Sequence, residues 1–211
     1  MTVIMKSRLY IPLILVALSC AILAVALWVG TSDGDSSSGT SSDVLENIAT
    51  RTSIRAYTSE PVDEETVTAL LKAGMAAPTA MNTQPWFFYV VRDRELMKSL
   101  AEVLPYAKMA ADAAVLIVPC GDRERFLTGE GMTYWVQDVS AATENILLAA
   151  HAMGLGAVWT GVYPVRDRIA DVSRILEMDE NHVPLCVIPI GWPADNPEPK
   201  DKWDPDKVIY R

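Results

Sequence analysis

Cysteine and histidine are scarce in this chain, with three and two among 211 residues. No CxxC pair and no Cys/His ligand spacing occurs, so no metal site is expected. Cys20 sits in an apolar segment, Cys120 follows one predicted core strand and Cys186 lies within another. The last two are expected as buried free thiols, although an oxidising compartment could pair them. A basic run is also missing beyond the first few residues, and the formal net charge is -9. Phosphate-backbone binding needs a basic face, so nucleic acid is not an expected partner. No nucleophile elbow, P-loop or GxGxxG is present. Neither His151 nor His182 has the surroundings of a catalytic dyad, and His151 reads as a core or interface histidine.

One long uncharged run is present, Leu9 to Val29. As a helix it would measure roughly 32 Å, against a bilayer core of about 30 Å. Lys6 and Arg8 precede it, and Asp33 and Asp35 follow. That charge bias predicts a single membrane-spanning N-terminal helix with the domain outside the cytoplasm. The alternative is a signal segment and a secreted product. Residues 1–30 are therefore read as a transmembrane anchor or signal segment and 31–42, rich in Gly, Ser and Asp, as a flexible linker. Residues 43–211 are read as one folded domain.

Within the domain, Asp43 and Glu46 have capping-box spacing before Val44, Leu45 and Ile48, in a helix that fails near Thr50. Pro61 to Glu65 opens a second helix with acids in its first turn and a Val67, Leu70, Leu71, Met75 stripe. Trp86 to Val91 reads as a buried strand, and Asp93 caps a helix with Leu96, Met97, Leu100 and Leu104 inward. Ala113 to Pro119 is a second buried strand. Met132 to Met153 is a long helical pattern, apolar almost all round after Ala141 and ending at Gly154. Ala157 to Tyr163 and Pro184 to Gly191 read as strands separated by a helix that follows Pro164. The proline-rich tail from Trp192 is extended and needs an apolar surface to lie on, such as a partner subunit. Helices and strands alternate, which gives a mixed α/β or α+β layered class.

Three clusters suit a flat, phosphorylated, redox-active ligand. Arg51 and Arg55 supply charge, with the hydroxyls of Thr52 and Ser53 between them. The loop Ala77 to Trp86 lies between two prolines and carries the amides of Asn82 and Gln84, which can read the rim of a heterocycle or simply be solvated. The turn at Thr160-Gly161-Val162 offers an accessible backbone, and Lys200 and Lys202 in the tail could complete a phosphate clamp.

Four ordered segments, RTSIR (51–55), APTAMNTQPW (77–86), SAATENILLAAHAMGLGAVWTGVYP (140–164) and GWPADNPEPKDKWDPDKV (191–208), resemble the FMN-dependent nitroreductase family over about Leu45 to Arg211. The resemblance implies an α+β layered fold with a central, mostly antiparallel sheet flanked by helices, a domain-swapped C-terminal tail and an obligate homodimer binding FMN at its interface. Carried over by position, Arg51, Thr52, Ser53 and Arg55 would bind the ribityl phosphate and pyrimidine edge. Pro78, Thr79, Ala80, Asn82 and Gln84 would approach from the other subunit, Thr160, Gly161 and Val162 would flank the ring, and Lys200 and Lys202 would reach the phosphate. The family often has serine where this chain has Thr79 and Ala80, and arginine where it has Lys202. Lys108 could match a lysine that some members place near the flavin.

No acid–base side chain is required, because the flavin carries the chemistry and the protein supplies binding and electrostatics. Arg55 is the candidate for stabilising the negative charge of reduced flavin. The resemblance implies hydride passage from NAD(P)H, or another reductant, to a nitroaromatic or quinone-like acceptor by ping-pong kinetics. Residues 104–109 and 126–135 are a separate expectation for segments that cover the site. Two alternatives stay open: a reductive dehalogenase resembling iodotyrosine deiodinase, and a non-catalytic, membrane-tethered flavin-binding module.

Overall fold

A computed structural model describes residues 41–211 of the chain. Its helices are α1 (Ser41–Thr50), α2 (Glu64–Met75), α3 (Arg94–Val103), α4 (Tyr134–Ala152) and α5 (Arg166–Ile175). Its strands are β1 (Trp86–Val91), β2 (Val115–Asp122), β3 (Gly156–Ala157), β4 (Thr160–Gly161), β5 (His182–Pro184) and β6 (Cys186–Gly191). The sheet runs β1-β2-β6-β3, with β4 also on β6 and β5 also on β2, and every pairing is antiparallel.

Helices cover both faces of the sheet, so its central strands bury both sets of side chains and read as continuous apolar runs. Leu116, Val118, Cys120 and Val187 face Met97 and Leu100 of α3 and Val172 of α5. Their neighbours Val115, Ile117, Cys186, Ile188 and Ile190 face the other way, onto Val67 and Leu70 of α2 and Ile146 and Ala150 of α4. The period-2 alternation thus sends Cys120 and Cys186 to opposite faces. Both are buried and free, so the disulfide open to the sequence is not formed. Burial raises both thiol pKa values, that of Cys186 to about 12.

Local signals act as expected at several helix ends. Asp63 caps α2 through Thr66 N at 2.6 Å, and Asp93 caps α3 through Glu95 N and Leu96 N. Gly154 leaves α4 with φ +76, a left-handed turn that glycine adopts without a Cβ clash. Elsewhere the fold departs from the pattern. α1 begins at Ser41, so Asp43 lies inside its first turn. Met75 faces solvent. β1 pairs only with β2 among the described residues, and Phe87 and Val90 are exposed, so it is an edge strand rather than a buried one. The expected strand 157–163 is two short ladders on β6, and 184–191 breaks at Leu185, whose N–H reaches Pro119 O.

The run 9–29, on which the expected anchor, the extracytoplasmic placement and the secreted alternative all rest, lies outside the described residues, as does 31–40 of the linker. Among the described residues no helix is long and apolar enough to cross a membrane. The longest, α4, is interrupted by Gln137, Asp138, Glu144, Asn145 and His151. The membrane-anchored, transmembrane assignment is corrected accordingly: nothing in the described fold carries it.

Candidate functional site

The segment after α1 is laid against the sheet edge by a backbone bond from Ile54 N to Ala157 O at 3.1 Å. Its Ile54 side chain lies on Gly156, where an added Cβ would come within 2.6 Å of Cγ2. Only glycine at 156 permits that approach. Thr58 N bonds Trp192 O and Ala194 N bonds Ala56 O, both at 2.9 Å, so the tail starts alongside this segment. As a result Lys200 and Lys202 come to the residues near 51, from the opposite end of the domain.

Together they line a groove of about 960 Å³, within the usual range of roughly 300–1,000 Å³ for small-molecule sites. Arg51, Thr52, Ser53 and Arg55 form one side, Lys200 and Lys202 the other, and Glu144 of α4, Glu198 and Asp201 also contribute to the lining. Four cations against three carboxylates leave a net positive cleft on an acidic protein, with two hydroxyls among the cations. That donor set fits a dianionic phosphate on a polar ligand.

Contacts inside the groove are sparse. Arg51 Nε lies 3.5 Å from Glu144 Oε1, with side-chain exposures of 18% and 48%. Arg55 Nη1 makes a long bond to Ser53 O at 3.4 Å. Behind Arg51, His151 Nε2 is 2.9 Å from Thr50 Oγ1, which donates to Glu46 O at 2.7 Å. Since the hydroxyl proton is used there, the imidazole Nε2 must be the donor. Partial burial, and then the charge of Arg51, lower the pKa of His151.

The 77–86 loop is built differently. A 3₁₀ turn covers Ala80–Asn82, and Met81, Asn82 and Gln84 adopt φ of 52, 55 and 48. None is glycine, and the left-handed region costs an ordinary residue about 1–2 kcal/mol. Such outliers persist where the surroundings over-determine them, commonly at ligand sites. Here Ala80 N donates to Asp138 Oδ1 at 2.9 Å, and Asp138 is 7% exposed within α4. Thr79 Oγ1 accepts from Gln84 N, and Asn82 Oδ1 accepts from Gln84 Nε2 at 3.1 Å. Pro78, Thr79, Ala80, Asn82 and Gln84 do not line the groove.

Nor do Thr160, Gly161 and Val162. Thr160 spends its hydroxyl on Val187 O at 2.6 Å, and Val162 is in the core, so a ligand could meet only their backbone. Gly161 is exposed with nothing near an added Cβ, and its carbonyl accepts from Arg168 Nη1 at 3.1 Å. Phe126 stacks on Trp135 at 5.0 Å, and Tyr163 meets Trp135 edge-on at 4.9 Å. Phe126 and Trp135, from the expected covering segment 126–135, therefore belong to a packed cluster with Tyr163.

Sequence reasoning gave neither Asp138 nor Glu144 a place in the site. A buried or half-buried carboxylate needs a partner, and that requirement was the available signal. Asp138 found a backbone N–H and Glu144 an arginine.

Residues 48–192 match the Nitroreductase family. A protein of Methanothermobacter thermautotrophicus, provisionally named NADH dehydrogenase/NAD(P)H nitroreductase, is 48% identical over 167 residues, 79% of this chain and 85% of its own. A crystal structure of a protein with the same provisional name from Bacteroides thetaiotaomicron is 47% identical and superposes with a TM-score of 0.75, covering 79% of this chain and 96% of the other. The NADPH:FMN oxidoreductase of Vibrio harveyi, solved in complex with NAD+, is 29% identical with a TM-score of 0.72, over 80% of this chain and 76% of the other.

Proposed function

The chain belongs to the nitroreductase family, and on that premise we propose that it is an FMN-dependent NAD(P)H oxidoreductase acting on nitroaromatic or quinone-like acceptors. The observation that carries this reading is the groove. It unites guanidinium and ammonium groups from 51–55 and 200–202, which a random surface would scatter, in a cleft of ligand size.

Arg51, Lys200 and Lys202 would hold the phosphate, with Thr52 and Ser53 donating hydroxyl hydrogen bonds. Arg55 would set a positive charge beside the pyrimidine edge, where it favours the anionic reduced form. FMN, when bound, supplies hydride chemistry on one face that donor and acceptor use in turn, which gives ping-pong kinetics. The chain itself needs only to bind, orient and exclude water.

A second copy supplies what one chain leaves apart. Pro78, Thr79, Ala80, Asn82 and Gln84 of one protomer would close the groove of the other, and the backbone at Thr160, Gly161 and Val162 would flank the ring. The tail supports a homodimer, since Trp203, Ile209 and Tyr210 are exposed and apolar surface of this kind seeks cover.

The test is an absorbance spectrum of the purified full-length chain, before and after added FMN and then anaerobic NADH or NADPH, with the mass in solution measured in parallel. A flavin band that bleaches with either nucleotide, on a dimer, is expected. A protein that takes up no FMN, or whose bound flavin stays oxidised, would overturn the reading.

A further inference from the structure

The helix α4 does more than fill the core. Along one side it offers Glu144, the Leu148 carbonyl and His151 at helical spacing, and each takes a residue of the segment leading to the arginine cluster. Asn47 Nδ2 donates to Leu148 O at 3.1 Å, Thr50 Oγ1 accepts from His151 at 2.9 Å, and Arg51 Nε meets Glu144 at 3.5 Å. Asn47, Thr50 and Arg51 are thereby aligned on one rigid element. Of the three partners only Glu144 also lines the groove.

From this we infer that Glu144 is a positioning residue for the ligand phosphate, acting through Arg51. The inference rests on the FMN reading above and adds to it a carboxylate inside an anion site. Two effects oppose each other there. A carboxylate repels a phosphate, but it also fixes the guanidinium that receives it.

The geometry decides between them. Glu144 takes Nε, the inner nitrogen, so the outer pair of Nη groups stays available as a fork for a bidentate oxyanion. A guanidinium on a flexible stem must otherwise be immobilised by the ligand at the ligand's expense, roughly 0.5–1.5 kcal/mol per side chain, which converts to about a two- to tenfold change in affinity. The repulsion is weaker than the 3.5 Å attraction, because a phosphate held by the outer Nη pair would have the guanidinium between it and Glu144, and water and salt screen the longer distance more. Orientation therefore outweighs repulsion.

The experiment measures the affinity of the full-length chain for FMN and for riboflavin, which lacks the phosphate. Glu144→Ala should weaken FMN about two- to tenfold and leave riboflavin unchanged. Glu144→Gln keeps the length of the side chain and an oxygen beside Nε but not the charge of the ion pair, and should restore only part of the loss. In an Arg51→Ala background the Glu144→Ala change should have no further effect. Unchanged or tighter FMN binding by Glu144→Ala, or an equal loss of riboflavin, would overturn the inference while leaving the functional reading intact. Failure of the wild-type chain to bind FMN would sink both.

Discussion

The groove at Arg51 and the loop at Asn82 are assembled on opposite principles. The groove is made of long, flexible cations brought together from distant positions, with few internal contacts, so its energy is electrostatic and appears only when an anion arrives. The loop carries no charge of its own. It is a short backbone held in three left-handed conformations, with its amide side chains bonded to each other and its turn anchored on a buried carboxylate. The groove spends ligand binding energy to order itself, whereas the loop is ordered beforehand and stores strain. A flavin site needs both kinds of surface, one for the phosphate and one for the ring. In a single chain they are not joined, which is why the proposal requires a second copy.

The sharpest way to break this contrast is Arg51→Ala. If the groove is electrostatic, FMN should lose about 1.5–3 kcal/mol of binding, the usual worth of a charged hydrogen bond, or roughly ten- to a hundredfold. Riboflavin should bind as before, and raising the salt concentration should shrink the difference. Titration of both ligands at two ionic strengths checks it, and an equal loss of both would mean the groove is not the phosphate end.

Asp138→Ala probes the other side. It leaves the Ala80 N–H without its acceptor at a nearly closed site, so a loss of about 1–3 kcal/mol of folding stability is expected, seen as a shift of the denaturation midpoint. FMN and riboflavin should weaken together, because the loop would meet the ring they share. Asp138→Asn retains an acceptor oxygen and should be milder. A smaller and opposite effect is expected from Met81→Gly. Met81 is 85% exposed, so little packing is lost. Relief of a left-handed φ, about 1–2 kcal/mol, should exceed the 0.4–1 kcal/mol that glycine adds to unfolded-chain entropy. A net gain of roughly 0.5–1 kcal/mol would confirm stored strain, and a loss would show that the conformation is unstrained.

Much of this could be read from residue order, and the gaps have physical causes. α2, with its Asp63 cap, and the apolar β2 announce themselves locally, as does the glycine at the end of α4. The groove cations were legible because Arg51, Arg55, Lys200 and Lys202 sit in segments otherwise poor in structure, where charge has few other uses. The exposure of β1 was not, since an aromatic, β-branched run looks the same whether one neighbour strand or two will pair with it. The anchoring of Ala80 by Asp138 spans 58 positions and joins a side chain to a backbone N–H, a contact with no residue-type signature on its far end. Left-handed backbone at Met81 and Gln84 was hidden too, because only glycine and, less strongly, asparagine advertise it.

The smallest expected effect concerns the groove side alone. His151 holds Thr50 as a neutral donor, and burial together with the charge of Arg51 lowers its pKa from 6.5. The unfolded chain, with an imidazole near its ordinary value, therefore takes up a proton first as the pH falls. Stability from this residue is fully present above about pH 6.5, declines as the pH drops through the interval between the unfolded and folded values, and levels off below the folded one. The decline should be slight, since much of the ring remains hydrated and solvent screens the arginine. His151→Gln keeps a donor for Thr50 but cannot titrate. Its denaturation midpoint, compared with that of the wild type between about pH 7.5 and pH 5.5, should show a shallower fall. If the two slopes coincide, the imidazole is not coupled to Arg51, and the groove is fastened to α4 through Glu144 and Asn47 alone.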